Sequence, residues 1–284
     1  MSGVLVPGVP ERAYLRGDPP PAASGDLAGP SLSSTGARRI LQSPSLYRHE
    51  TDHPEPATDA MDIGSVAHKR ILGVGSDVVV VDARDWRMKG ARAHRDQCRI
   101  DGLVVVHRGQ LPGTGAMARA VGRHPLASRI LAASAKEVSG WWVDPATGVC
   151  CRLRIDALHP RAIVDVKTTT TVTPDEWVRN HVTRYGYHIQ AAWYLDGHEA
   201  ITGQRLPFLW IVVRSTPPHD VWVVDLADVD LDLGRERAHE ARVLYAECAS
   251  QNDWPEAGRY PGREPDVLHL SLPGWMHRER EYAA

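Results

Sequence analysis

The chain has 284 residues, 43% of them hydrophobic and 24% charged, with a formal net charge of -2. That length supports a real core in one large domain or two small ones, and the charge excludes a generally sticky nucleic-acid binder while leaving room for a local basic channel. No apolar run reaches the ~18 residues of a membrane-spanning helix, and the start MSGVLVPGVPERAYLRGDPPP lacks the order of a secretory signal. The cysteines Cys98, Cys150, Cys151 and Cys248 form no C-x-x-C pair. They fit reduced thiols in a cytoplasm rather than a disulfide framework or a zinc site.

Residues 1–30 are rich in Pro and Gly without an apolar period, which predicts an extended or mobile arm. Ser33 or Ser34 then caps a short helix through Gln42, ended by Pro44. Its Arg38 and Arg39 form either a solvated basic face or a phosphate contact. His49 to Ala60 reads as a loop. In DIGSVAHKRILG, Asp62 can cap a helix whose buried stripe is Ile63, Ala67 and Ile71, with Gly73 as its stop. Gly64, Ser65, His68 and Leu72 share another face. A small residue one turn before His68 allows a metal or a backbone to approach, although a lone helical histidine is more often structural.

Ser76–Asp82 and Leu103–Val106 read as short strands around a charged helix, Trp86–Ile100. Helices over Gly115–Gly122 and Pro125–Ala135 follow. Glu137 opens a hairpin of EVSGWWV, the turn DPATG, and VCCRLRID. A symmetric loop puts Glu137 opposite Ile155, whereas a one-residue bulge at Gly148 puts it opposite Asp156. Glu137 is therefore either a third acid of a site or a strand-edge acid.

The stretch CRLRIDALHPRAIVDVKTTT carries a second hairpin. Cys151, Leu153, Ile155 and Ala157 alternate with Arg152, Arg154 and Asp156. Val164 and Val166 oppose Asp165 and Lys167 in the same way. Symmetry about the Pro160–Arg161 bond sets Asp156 opposite Asp165, with Cβ atoms ~5 Å apart. Two carboxylates held so close repel, so one takes a proton or a cation binds between them. Two acids and Lys167 on one edge are what a hydrolase using Mg²⁺ or Mn²⁺ needs. The plain alternative is a surface hairpin with a solvated Asp and Lys.

Further on, Pro174 starts a helix of Asp175–His181. Arg184–His198 reads as a longer helix on which Tyr187, Gln190 and Tyr194 form one polar-aromatic stripe. That stripe either packs on the sheet or lines a site, and a glutamine inside it needs partners. Strands over Phe208–Val213 and Val221–Asp225, a helix over Val229–Cys248 and a loop-rich tail over 251–284 complete the chain.

Taken in order, GSVAH, EVSGWW, RID, DVKTT and YHIQAAWY resemble the PD-(D/E)xK nuclease superfamily, and within it the RecE-type (exodeoxyribonuclease VIII-like) exonucleases of phages. The likeness runs from about Leu32 to the Leu272-Pro273-Gly274-Trp275 tail. The resemblance implies Asp156, Asp165 and the Val166 carbonyl as metal ligands, with His68 touching the metal or the phosphate. It implies Lys167 as the catalytic lysine and Glu137 as a further acid. Gln190 and Tyr194 match the helix that lines the site and contacts the DNA end, joined by Tyr187, Arg38 and Arg39 as DNA contacts. Asp165 stands where many members have Glu. The cysteine spacing offers no set of four for an iron–sulfur cluster.

The fold implied is α/β, a central mixed sheet of about five strands flanked by helices. A nuclease domain would occupy residues 31–250, with a helical region at 86–135. The function implied is Mg²⁺-dependent exonucleolytic hydrolysis of linear duplex DNA in a bacterial cytoplasm, 5′ to 3′. It would leave single strands for a phage annealing protein, and rings of identical subunits occur in the family. The alternatives are a RecB-like repair nuclease and a catalytically idle DNA-end binder.

Overall fold

The computed structural model describes residues 3–19, 25–264 and 267–272; Pro273–Trp275 of the tail motif lie outside them. In chain order the elements are β1 (Gly3–Pro7), α1 (Glu11–Arg16), β2 (Leu32–Ser33), α2 (Ser34–Ile40), α3 (Pro44–Asp52) and α4 (Asp59–Leu72). Next come β3 (Val78–Val81), α5 (Lys89–Ile100), β4 (Val104–His107), α6 (Leu111–Arg123) and α7 (Pro125–Ala132). The centre of the chain is β5 (Ala135–Val143), β6 (Cys150–His159) and β7 (Ala162–Thr169). After it follow α8 (Pro174–Trp177), α9 (Thr183–Tyr185), α10 (Tyr187–Thr202), β8 (Phe208–Arg214), β9 (Val221–Val224) and α11 (Asp228–Gln251).

Among the described residues the main sheet has seven strands in the order β1-β5-β6-β7-β8-β9, with β2 added beside β6. It is mixed: β7–β8 and β2–β6 run parallel and the other pairs antiparallel. Helices cover both faces. On one side α2, α10 and α11 pack on Leu153, Ile163, Trp210 and Val212. On the other, α4, α6 and α7 pack on Ala157, Val164, Val166 and Ile211. Odd and even positions of β7 thus serve opposite cores, as a strand buried on both faces requires.

The site depends on a fork in β6. Cys151 and Arg152 pair with β2, and Ala157–His159 pair with β7, but Leu153–Asp156 have no ladder partner on that edge. The predicted hairpin register holds from His159 to Ala157, and the ladder ends one residue short of Asp156 and Asp165. Asp156 closes the gap with its side chain: Oδ2 accepts the Val166 N–H at 2.8 Å.

Several predicted elements are corrected. Gly3–Pro7 is an edge strand on β5, and Glu11–Arg16 is a helix, so these described parts of residues 1–30 are not a free arm. Gly3 makes that pairing feasible, since a Cβ there would lie 2.6 Å from the Trp141 carbonyl. His49–Ala60 is not all loop. Pro44 is the first residue of α3, capped by Ser43, rather than the end of α2. Thr58, not Asp62, caps α4. The two short strands read around a charged helix are present as β3 and β4 beside α5, paired parallel in a small sheet of their own, so the 86–135 region is helical apart from β4. The long helix starts at Tyr187 instead of Arg184, because Gly186 at φ 64 breaks the chain direction just before it. It runs on to Thr202.

Candidate active site

Asp156 and Asp165 open into a cleft of about 590 Å³ between α4, β5, β6, β7 and α10. The register of β5 against β6 is the shifted one: Val138 faces Ile155 and Lys136 faces Ala157, which leaves Glu137 against Asp156. Gly148, left-handed at φ 71, supplies the extra residue in the turn. Glu137 itself has φ 54 and drops out of the ladder. A non-glycine residue held there is strained, and such strain concentrates at functional sites.

From α4, His68 reaches the same point. Its Nε2 lies 2.8 Å from Asp156 Oδ2 and its Nδ1 3.5 Å from Glu137 Oε1. The donor atoms of His68, Glu137 and Asp156 all fall within 4.8 Å of one another. Asp165, 2% exposed, stands outside that trio. Gln190 Nε2 donates to its Oδ1 at 2.8 Å. Its Oδ2 lies 2.5 Å from Lys167 Nζ, yet it accepts no aligned hydrogen bond. Lys167 also sits over the Tyr187 ring, 5.0 Å from its centroid.

The charges shift one another. Burial alone would push His68 down, but Asp156, Glu137 and Asp165 outweigh it and hold the imidazole up at about 9. Burial and the neighbouring Asp156 raise Asp165, against the pull of Lys167. Asp156 is also buried, but His68 and Lys167 lower it below the usual range. Burial and Asp156 raise Glu137. The two aspartates are thus driven apart, as two acids sharing one site must be.

A divalent cation fits this donor set. Three carboxylates, an imidazole and the nearby Val166 backbone are hard, oxygen-rich ligands, and no cysteine lines the cleft.

The remaining predicted residues divide. Tyr187, Gln190 and Tyr194 all line the cleft. Arg38 lines an adjoining cavity of about 510 Å³ with Arg152, Lys167 and Tyr187. Arg39 does not join them: it pairs with Glu50 at 2.8 Å and lines neither cavity.

Sequence reasoning missed Arg154 and Tyr14. Arg154 grips Glu137 through Nε and donates to the Val9 carbonyl at 2.8 Å. Its alternation with Asp156 on β6 was the available signal. Tyr14, buried to 7% on α1, lies under Arg152 and Arg154, and nothing in its Pro-rich surroundings marks it.

A comparison with curated proteins gives no match. The crystal structure of a candidate exonuclease from Eubacterium rectale is similar in fold, with a TM-score of 0.56 at 16% identity, over 87% of this chain and 92% of that one. Residues 45–259 match the model of the PDDEXK-like domain of unknown function, DUF3799. This chain therefore belongs to that family of PDDEXK-like domains, within the PD-(D/E)xK nuclease superfamily.

Proposed function

We propose that the protein is a metal-dependent deoxyribonuclease that hydrolyses DNA phosphodiesters from the ends of linear duplexes. The observation that carries the reading is the fork between β6 and β7, where Asp156, Asp165 and Lys167 meet His68 and Glu137 in one cleft. Asp156, Asp165, His68 and the Val166 carbonyl would hold Mg²⁺, with Mn²⁺ able to substitute, and Glu137 would stand beside them. A cation bound there neutralises a phosphate and makes water a stronger acid.

The chain's own groups do the rest. Lys167 keeps its charge despite burial, because Asp165, Tyr187 and Asp156 favour the ammonium. It is placed to orient the attacking water and to offset charge developing on the phosphate. Gln190 holds Asp165 in one orientation through Oδ1. Tyr187 and Tyr194 offer polar-aromatic surface to a DNA end.

Among the described residues, neither Arg38 nor Arg152 forms an ion pair with a carboxylate. Both are held by neutral acceptors, Arg38 by Ser34, Thr35 and Tyr185 and Arg152 by Ser31, so their charge beside the cleft is not neutralised and suits the phosphates of a bound strand. By resemblance to RecE-type exonucleases, the polarity is 5′ to 3′, with the single strands passed to an annealing protein during phage recombination. The double-stranded DNA end is the partner, and assembly into a homo-oligomer is part of the same reading.

End-labelled linear duplex and covalently closed duplex, each digested with Mg²⁺ and with EDTA, test the proposal. Metal-dependent loss of the linear form alone is the expected result. Equal cutting of both forms would replace it with the RecB-like endonuclease. Binding of ends without any cleavage would make the protein a DNA-end binder.

A further inference from the structure

We propose that the outer face of α6, with Arg70 from the end of α4, is a second DNA-binding surface, which holds the phosphate backbone of uncut duplex behind the end engaged in the cleft. The inference rests on the nuclease reading above, but none of the residues that carry it lines the cleft.

The chain as a whole has 35 Asp and Glu against 33 Lys and Arg, yet residues 102–136 contain no acid at all. Residues 63–76, most of α4 and the loop after it, contain none either. The two stretches meet where α4 packs on α6. Of the elements packed most closely on α6, only α4 brings acids, Asp59 and Asp62, and both are held by Arg99. They stand ~12–16 Å along the α4 axis from Arg70. The basic groups nearby then divide. Lys69 pairs with Asp77 at 3.3 Å and Arg108 with Asp82 at 2.9 Å. Arg70, Arg119 and Arg123 are exposed, and among the described residues they pair with no carboxylate. A protein with no excess of positive charge therefore concentrates unneutralised arginines on one face, as recognition of a polyanion requires.

Their placement suits a row of phosphates. Helix α6 buries Thr114, Met117 and Val121 and turns Arg119 and Arg123, one helical turn apart, to the outside. Arg70 joins them from α4, where its Nη1 donates to the Leu111 carbonyl at 3.1 Å. A Cβ on Gly115 would lie 2.7 Å from Arg70 Nη1 and 3.3 Å from Arg119 Nη1. The two guanidiniums are thus neighbours across a position that has no side chain. Like charges so placed repel, and an anion between them relieves the repulsion. Arg123 adds a third cation ~6 Å further along the helix. A strand of duplex presents a phosphate every ~3.4 Å of axis, so the row can reach more than one.

Composition selects the occupant. Residues 102–136 include no Phe, Tyr or Trp, so the surface has nothing on which to stack an unpaired base. Helix α6 has no Asn or Gln with which to read a base edge. Charge without stacking or base contacts fits the backbone of duplex DNA, held without regard to sequence. Position agrees. His68 and Arg70 are two residues apart on α4, ~200° around the helix, so His68 faces the cleft and Arg70 faces away from it. A helix is ~10–12 Å across with its side chains, about three base-pair steps of duplex. DNA whose end lies at His68 therefore crosses α4 and meets Arg70 within a few base pairs.

The test measures binding of the full chain to a duplex of about 30 base pairs in EDTA, which prevents cleavage, over a range of KCl concentrations. The unaltered protein is compared with Arg119→Ala/Arg123→Ala, Arg119→Lys/Arg123→Lys and Arg119→Glu/Arg123→Glu. The Ala pair should lower affinity about tenfold and flatten the slope of log K against log salt by about two, one for each lost phosphate contact. The Lys pair should keep the slope and the Glu pair should bind most weakly, because charge rather than shape makes the contact. Thermal melting establishes that each variant is folded.

An unchanged slope in the folded Ala pair would overturn the surface, and so would an equal loss in the Lys pair. If either is seen while the unaltered protein degrades linear duplex with Mg²⁺, the nuclease reading stands without the surface. If the unaltered protein neither binds nor cuts any duplex, the nuclease reading falls and the surface falls with it.

Discussion

Asp165 and Lys167 touch, but under the proposed chemistry their removal has different consequences. Asp165→Asn takes away a buried anionic donor. The variant should fold, bind Mn²⁺ weakly in calorimetry and release no nucleotides; wild-type cleavage by it would refute the assignment. Lys167→Ala removes a cation from an acidic cluster, so in mildly alkaline buffer Mn²⁺ should bind at least as well as before. DNA should still be retained in a gel shift, because Arg38 and Arg152 are untouched. Hydrolysis alone should slow, on the order of a hundredfold, as when one preorganised charge at a developing oxyanion is lost. Loss of metal binding in Lys167→Ala would refute the division of roles. At this scale much was legible. The short spacings that join Asp156, Asp165 and Lys167 are local, and strand alternation places them directly. Glu137 was ambiguous because its position rests on one left-handed glycine, Gly148, eight residues from the nearest site acid. Arg39 misled because adjacent arginines on a helix diverge, and its partner Glu50 comes from the next helix.

His68 is useful only while α4 stays in place, and α4 is held from outside the site. Asp62, 1% exposed, accepts from Arg99 Nε at 2.9 Å and Nη2 at 2.7 Å, and from the Val105 N–H at 3.3 Å. One carboxylate thus ties α4 to both α5 and β4, and it does not line the cleft. Asp62→Ala leaves a buried guanidinium with only Asp59 as counter-charge. The loss should be about 3 kcal/mol or more, a melting point lower by roughly 5–10 °C. Mn²⁺ affinity should fall as well, because the helix that carries His68 loses its anchor. Unchanged melting would mean that the pair contributes nothing. The helix was legible from its apolar spacing, but the role of Asp62 was not. An aspartate near a helix start reads as a cap, and only the β3–α5–β4 unit, whose strands pair with nothing in the main sheet, shows it turned inward.

For the molecule as a whole, the sheet type and its helical cover were readable, because hydrophobic period separates strand from helix without tertiary information. The N-terminal strand was not. GVLVP lies between glycines and prolines, and its place beside β5 is a pairing across more than a hundred residues. That distant packing gathers acids and a histidine into one cluster, and the cluster ties stability to pH and to metal. His68 is raised in the folded state from 6.5 to about 9. A group raised by folding stabilises the protein fully below its unfolded pKa and loses that contribution as pH rises through the folded value. Asp165, raised by burial from 3.8 to about 6, acts in the same direction but loses its share earlier, before His68 begins to titrate. The metal-free protein should therefore lose stability as pH climbs from about 6.5 to 9. Divalent metal should oppose this, since it takes the deprotonated forms of both groups and competes with their protons. At a hundred times its dissociation constant it should add about 2.7 kcal/mol. The rise in melting temperature on adding Mn²⁺ should accordingly be larger in alkaline than in mildly acidic buffer, and Asp165→Asn should abolish most of it. A melting curve independent of Mn²⁺ throughout that range would show that the cluster holds protons and ion pairs but no metal.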